Sequence, residues 1–247
     1  SYLIERGGGS IPLKDKHVLV VGCGAVGSIA AMEMAKAGIG EITLVDFDIL
    51  SVDNSHRHLL GFNDGCLSFP KVSMVKMEIE KQIRHVKVHE RKASIESLIS
   101  MQNFSISEFD LVFLATGNPT TELLVNEWLA GLPDSPPAVY AWVEALGIGG
   151  HLLLANNNAG VGCLKCLHTP HPDDEPDAFY NRASFAERDQ FFAKTVAGCG
   201  TRFTPFSALD ASRTAIEGVR LVIDALKGDE PGHPLRSWKG NSKEFLK

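Results

Sequence analysis

Apolar residues come in short bursts along this chain, and the spacing inside each burst separates strands from helices. Val18-Leu19-Val20-Val21, Ile42-Thr43-Leu44-Val45 and Leu111-Val112-Phe113-Leu114-Ala115 are unbroken runs, as in strands covered on both faces of a parallel sheet. Val86 to Val88 reads as a further short strand. Between the first two runs, small and apolar residues at helical spacing predict a helix. Another is predicted from Lys71 to about Arg84, with Val72, Val75, Ile79 and Ile83 on one side, Ser68 as its cap and Pro70 in its first turn. A third covers Thr120 to Leu129. The longest runs from Ala208 to Leu226, with Ala211, Ala215, Ile216, Val219, Val222 and Ile223 along one side and Gly228 as its stop. The runs Ala138 to Val143 and His151 to Ala155 flank the glycines of Leu146-Gly147-Ile148-Gly149-Gly150, which predicts an antiparallel hairpin at one edge. The fold expected is α/β, a mostly parallel sheet with helices on both faces.

Residues 156–203 break this alternation. They are polar, Pro-rich and acidic in places, and carry Cys163-x-x-Cys166, His168, His171 and Cys199. A connection of that length reads as a functional lid or crossing rather than an idle loop. The chain is therefore expected to be one domain over 1–247, with a crossing at 156–203 and a C-terminal helix and tail at 204–247.

Composition narrows the setting. The net charge of −6, without a basic run, argues against a general nucleic-acid binder. No apolar run reaches membrane-spanning length and the first residues lack the apolar core of a signal peptide, so no membrane partner is expected. Five cysteines read as thiols or metal ligands of a reducing cytoplasm rather than as a disulfide frame. The Ser1 start fits excision from a longer chain.

The chemistry concentrates in Val18 to Asp48. Gly22-x-Gly24-x-x-Gly27 follows the first strand and opens the first helix, and Asp46 and Asp48 end the second strand about twenty residues on. That is the Rossmann-like arrangement in which a glycine turn brings backbone N–H groups against a phosphate and an acid meets a ribose. The plain alternative is a structural glycine turn. Beyond it, the long loop Ile49 to Phe69 holds Asn54, His56, Arg57 and His58. The two histidines read as solvated loop residues, and Cys23 as packing within the turn.

With that loop included, the glycine turn, Asp46-x-Asp48, Asn54-x-x-Arg57 and Pro70-Lys71 resemble the ubiquitin-activating (E1-like) superfamily, with its ThiF and MoeB type adenylating enzymes. The resemblance covers roughly residues 11–230 and is densest over 18–71. It implies ATP-dependent adenylation of the C-terminal carboxylate of a ubiquitin-like or other protein, then transfer to an enzyme cysteine as a thioester. It implies that Gly22, Gly24, Gly27, Asp46, Asp48, Asn54, Arg57 and Lys71 bind ATP, with Asp46 on the ribose, Asp48 near the phosphates or Mg²⁺, and Arg57 and Lys71 also acting in catalysis. It further implies a homodimer, with Arg6 reaching its partner, and an E2-like transfer protein or fused domain, as in bacterial conjugation and antiphage defence operons.

One position departs from the pattern. The superfamily carries a magnesium-binding Asp just after the fourth strand, where this chain has Gly117; either Asp48 and water hold the metal, or the chain is impaired, or the residue has been changed. Cys199, between glycines and near Thr201 and Arg202, is the expected acceptor thiol, with Cys166 as runner-up; the plain alternative is a small buried residue at a helix entry. Cys163 and Cys166 match half of a family zinc site whose second CxxC pair is absent from this sequence. His168 and His171 could complete a set, the thiols could be unliganded, or they could serve redox or transfer chemistry. An NAD-dependent oxidoreductase and a nucleotide-binding scaffold without chemistry stay open, the second because of Gly117.

Overall fold

Seven strands form one sheet, and the runs of apolar residues set its interior. The computed structural model describes residues 5–6, 11–61, 68–101, 103–156, 162–169, 181–186, 192, 194–195 and 202–243, with the backbone alone described at Asn54, Lys194, Thr195, Arg202 and Phe203. In chain order the elements are β1 (His17–Val21), α1 (Ala25–Ala37), β2 (Glu41–Val45), α2 (Lys71–Gln82), β3 (Lys87–Arg91), α3 (Ile95–Ile99), β4 (Leu111–Leu114), α4 (Pro119–Ala130), β5 (Ala138–Val143), β6 (Gly149–Ala155), α5 (Leu164–His168), β7 (Lys194–Thr195), β8 (Arg202–Phe203), α6 (Ala208–Lys227) and β9 (Leu235–Lys239). The main sheet has the order β3-β2-β1-β4-β5-β6-β9, and β7 and β8 pair separately. Strands β3, β2, β1, β4 and β5 run parallel, with His17 opposite Glu41 and Val18 opposite Leu111. Strands β6 and β9 complete an antiparallel edge.

Each buried strand sends alternate residues to opposite faces. Val18, Val20, Ile42, Leu44 and Phe113 join α1, α2 and α6 in one core, through residues such as Ala31, Val75 and Val219. Leu19, Val21, Val112, Leu114 and Tyr140 join α3, α4 and α5 in the other, through Leu98, Val125 and Leu164. The expected helices on both faces are present. A capping box between Ser207 and Asp210 starts α6, and Gly228 in the left-handed region ends it; such a cap is worth ~1 kcal/mol. Among the described residues no helix is long and apolar enough to cross a membrane.

Three expectations change. Ser68 does not cap α2. It sits at φ 69°, Pro70 occupies the cap position, and the first free N–H of the helix, from Lys71, donates to the Asp48 carbonyl at 2.9 Å. The segment after α6 is not simply a tail, because it returns as β9 and pairs with β6, burying Trp238. The short helix α3 was not anticipated, although Ser94 caps it by accepting from the Ser97 N–H.

Candidate functional site

The chain builds outward from β1 through β2 to β3, then returns to place β4 on the other side of β1. The two halves of the sheet separate at that switch, and a crevice opens above the carboxyl ends of β1 and β4, where ligands of such sheets bind. A cleft of about 540 Å³, counted to its open mouth, lies there. It is lined by Gly22, Asp46, Asp48, Ser94, Thr116 and Asn118 among others.

The three glycines of the turn do different work. Gly22 has φ +90°, and a Cβ on it would lie 2.6 Å from the Ala115 carbonyl oxygen of the neighbouring strand end. A Cβ on Gly27 would lie 1.8 Å from the Gly22 carbonyl oxygen, so only hydrogen lets α1 close against the turn. A Cβ on Gly24 would meet nothing within 4 Å. Gly24 leaves open space at the start of α1, where unpaired helix N–H groups favour an anion.

Two side chains latch this turn. Asp46 accepts from the Cys23 N–H at 2.7 Å through one oxygen and from the Asp48 N–H at 2.8 Å through the other. His58 accepts the Leu60 N–H on Nδ1 at 3.3 Å, so its proton is on Nε2, which donates to the Cys23 carbonyl at 2.8 Å. His58 is buried, unlike the solvated histidine expected, and burial lowers its pKa from the ordinary histidine value. His56 is exposed, as expected. Cys23 is fully buried and its thiol is pushed up, first by burial and then by Asp46, which fits a packing role.

Lys71 opens α2 with its side chain only 8% exposed, and Nζ donates to Asp48 Oδ2 at 2.7 Å. Burying an ammonium requires such a partner. The partner is half exposed at the cleft, so the pair stands where it can meet a polyanion. Arg57 is half-buried, with its guanidinium carbon 4.3 Å from the centroid of the Phe206 ring. The Asn54 backbone lies in a 3-10 turn, Val52–Asn54. The structure thus gathers Gly22, Gly24, Asp46, Asp48 and Lys71 at one strand-end crevice, with the Arg57 loop tied to it through His58.

Glu122 was not anticipated. It is 4% exposed and sits beneath the turn after β4, accepting from the Thr116 N–H at 3.2 Å and from Thr116 Oγ1 at 2.8 Å. Burial raises its pKa to about 7 against those hydrogen bonds and one from the Gly117 N–H. Its only sequence signal is an acid in a helix first turn, which is commonplace. Gly117 has φ +65° with open space where a side chain would be, a conformation that disfavours the family aspartate.

Metal fits differ between the two candidates. Asp48 offers a half-exposed carboxylate at the cleft, enough for Mg²⁺, which takes one or two carboxylates and completes its shell with water and substrate phosphates. The zinc expectation gains no support. Cys163 and Cys166 stand 3.7 Å apart, yet no group of three His, Cys, Asp or Glu side chains suited to a metal occurs among the described residues. Burial would raise the Cys163 pKa, but hydrogen bonds from Asn126 and the Cys166 and Lys165 backbone leave it lowered. Cys199, His171 and Cys66 lie outside the described residues.

Comparison with known proteins decides the family. The model of the ThiF family matches residues 7–237. This chain belongs to the ThiF family. Among ThiF-related proteins, the ATP-dependent ubiquitin transferase-like protein Cap2 of Pseudomonas aeruginosa is 28% identical over 236 residues, covering 92% of this chain and 39% of Cap2. The adenylyltransferase and sulfurtransferase MOCS3 of Danio rerio is 32% identical over 169 residues, covering 68% of this chain and 35% of that protein. The chain thus spans little more than a third of these relatives. Crystal structures of E. coli MccB share the fold; the one with AMPCPP and MccA superposes with a TM-score of 0.66 at 17% identity over 96% of this chain and 66% of the other.

Proposed function

We propose that this chain uses ATP to adenylate the C-terminal carboxylate of a ubiquitin-like or other protein partner. The observation that carries the proposal is the buried Lys71 paired with Asp48 at the mouth of a glycine-turn cleft. The names of the relatives, a ubiquitin transferase-like protein and adenylyltransferases, support the same reading.

In this mechanism the α-phosphate of ATP lies over Gly24 and the N–H groups of α1, and Asp46 accepts from the ribose while holding the turn. Lys71 and Arg57 face the phosphates, with Asn54 as a further contact. Asp48 would hold Mg²⁺, which when bound would neutralise charge on the phosphates. A partner carboxylate oxygen attacks the α-phosphorus, the bond to the β-phosphate oxygen breaks, and pyrophosphate leaves with the electron pair. Donors fixed in advance at the developing charge are each worth roughly 3–4 kcal/mol in such reactions. In the second step the Cys199 thiolate attacks the acyl carbon, AMP leaves, and a thioester remains. The thioester then passes to an E2-like protein or domain. The chain works as a homodimer in the cytoplasm, and a conjugation or antiphage-defence setting is carried over from the resemblance of its motifs alone.

Thermal unfolding with either ATP·Mg²⁺ or NAD⁺ tests the nucleotide. ATP is expected to raise the Tm, and stabilisation by NAD⁺ alone overturns the proposal. Once a partner is in hand, partner-dependent ATP–pyrophosphate exchange separates enzyme from scaffold, the reading that Gly117 favours. A non-reducing gel then tests the thiol. Cys199→Ala is expected to abolish a thiol-sensitive conjugate and spare exchange, and a conjugate lost only in Cys166→Ala reassigns the acceptor.

A further inference from the structure

Arg57 stands on a loop, and among the described residues no carboxylate pairs with it. Its partner is the face of Phe206, 4.3 Å from the guanidinium carbon to the ring centroid. Stacking of this kind uses the π-face of the guanidinium and leaves the N–H groups around its edge free for phosphate oxygens. It also restricts a long side chain that is otherwise free to sample many rotamers.

Phe206 is itself firmly placed. It packs against the core beneath α1, α2 and α6. The preceding Pro205 accepts the Leu146 N–H on its carbonyl at 2.6 Å, which ties it to the β5–β6 connection. The following Ser207 is the cap of α6, bonded to Asp210 at both its N–H and its hydroxyl. The carboxylate of Asp210 lies so close to Gly147 that a Cβ there would fall 2.3 Å from it. The ring under Arg57 is thereby fixed to the sheet at the root of the crossing segment, three residues after β8 ends.

We infer that Phe206 is a positioning residue for Arg57, holding the guanidinium toward the nucleotide phosphates and linking its position to the end of the crossing. The inference rests on the phosphate role given to Arg57 above. It makes Phe206 matter for polyphosphate affinity while leaving recognition of the nucleoside alone.

Equilibrium binding of AMPCPP·Mg²⁺ and of adenosine, with no partner protein, tests this on the wild-type chain, Arg57→Ala, Phe206→Leu, Phe206→Met, Phe206→Tyr and the double variant Arg57→Ala/Phe206→Leu. Phe206→Leu and Phe206→Met are expected to weaken AMPCPP about two- to tenfold with adenosine unchanged. Phe206→Tyr, which keeps the ring, is expected to bind as wild type, and the double variant no more weakly than Arg57→Ala. Wild-type AMPCPP affinity in both ring-less variants, or full additivity in the double variant, overturns the positioning role while the phosphate role of Arg57 stands. Wild-type affinity in Arg57→Ala overturns both.

Discussion

His58 donates from Nε2 to the carbonyl of Cys23, 35 positions earlier, and so fastens the loop after β2 to the glycine turn after β1. The Cys23 N–H is taken by Asp46, so the peptide units on both sides of Cys23 are held by side chains from elsewhere in the chain. Because His58 Nδ1 accepts the Leu60 N–H, protonating the ring breaks one bond of this latch. Lys71 and Asp46 are the charged groups that act on His58, Lys71 opposing its protonation and Asp46 favouring it. The folded pKa lies below the unfolded value, so the unfolded chain takes the proton first. Stability from this group is therefore full above about pH 6.5 and declines as the pH falls through that value. Urea unfolding at pH 7.5 and 5.5 is expected to show a smaller loss in His58→Gln than in wild type. An equal loss removes His58 from the cause.

Gly24 and Gly27 separate recognition from folding. Gly27→Ala drives a methyl into the Gly22 carbonyl and is expected to unfold the turn or lower the Tm by several degrees. Gly24→Ala meets no protein atom, so it is expected to keep the wild-type Tm and lose at least tenfold in AMPCPP affinity. Equal binding by Gly24→Ala and wild type in titration calorimetry would exclude the space over Gly24 as the phosphate seat.

Glu122 gives the opposite pH slope to His58. Its folded pKa of about 7 lies above the usual 4.5, so the folded chain holds the proton more tightly. The stability it gives is full below pH 4.5 and is lost as the pH rises through 7, on the order of 3 kcal/mol at the limit. Glu122→Gln keeps an acceptor for Thr116 and removes the charge. Relative to wild type it is expected to gain stability between pH 5 and pH 8, as read by urea midpoints. A parallel dependence in the two proteins contradicts the assignment.

Glu144 anchors the crossing. It accepts from His151 Nε2, Ser184 Oγ and the Phe185 and Ala186 N–H groups, and these bonds outweigh burial to hold its pKa near 2. Glu144→Ala takes the acceptor from the Phe185 N–H and the Ser184 hydroxyl and from Nε2 of buried His151, which keeps only Ser237 on Nδ1. Losing these acceptors is expected to cost about 1–3 kcal/mol and to speed proteolytic cleavage near residues 181–186. Wild-type cleavage rates would show that the segment is held by other means.

The glycine turn, the buried parallel strands and α6 were legible because their signals are local. Three glycines, two acids and a 3.6-residue period need no tertiary context to be recognised. Asp46, Asp48 and Lys71 followed because motif spacing carries them to one strand-end. His58 and Glu122 did not follow, since the burial of a polar side chain depends on what packs over it, and neither sequence neighbourhood differs from that of a solvated residue. The strand β9 was hidden for a related reason. Leu-Arg-Ser-Trp-Lys is short and largely polar, and its pairing with β6 joins residues more than eighty positions apart. The Phe206 ring under Arg57 joins two segments about 150 positions apart, and no one-dimensional pattern records such a contact.

The order of strands leaves β3 and β9 at the two rims of the main sheet. Both are short. One carries Lys87, His89, Glu90 and Arg91, and the other Arg236 and Lys239, with only Val88 and Trp238 fully covered in each. A foreign strand laid along either rim would have to desolvate these charges in exchange for a few backbone hydrogen bonds. The sheet is thereby guarded against growing by accretion, so copies of the chain at high concentration resist stacking edge to edge into fibrils.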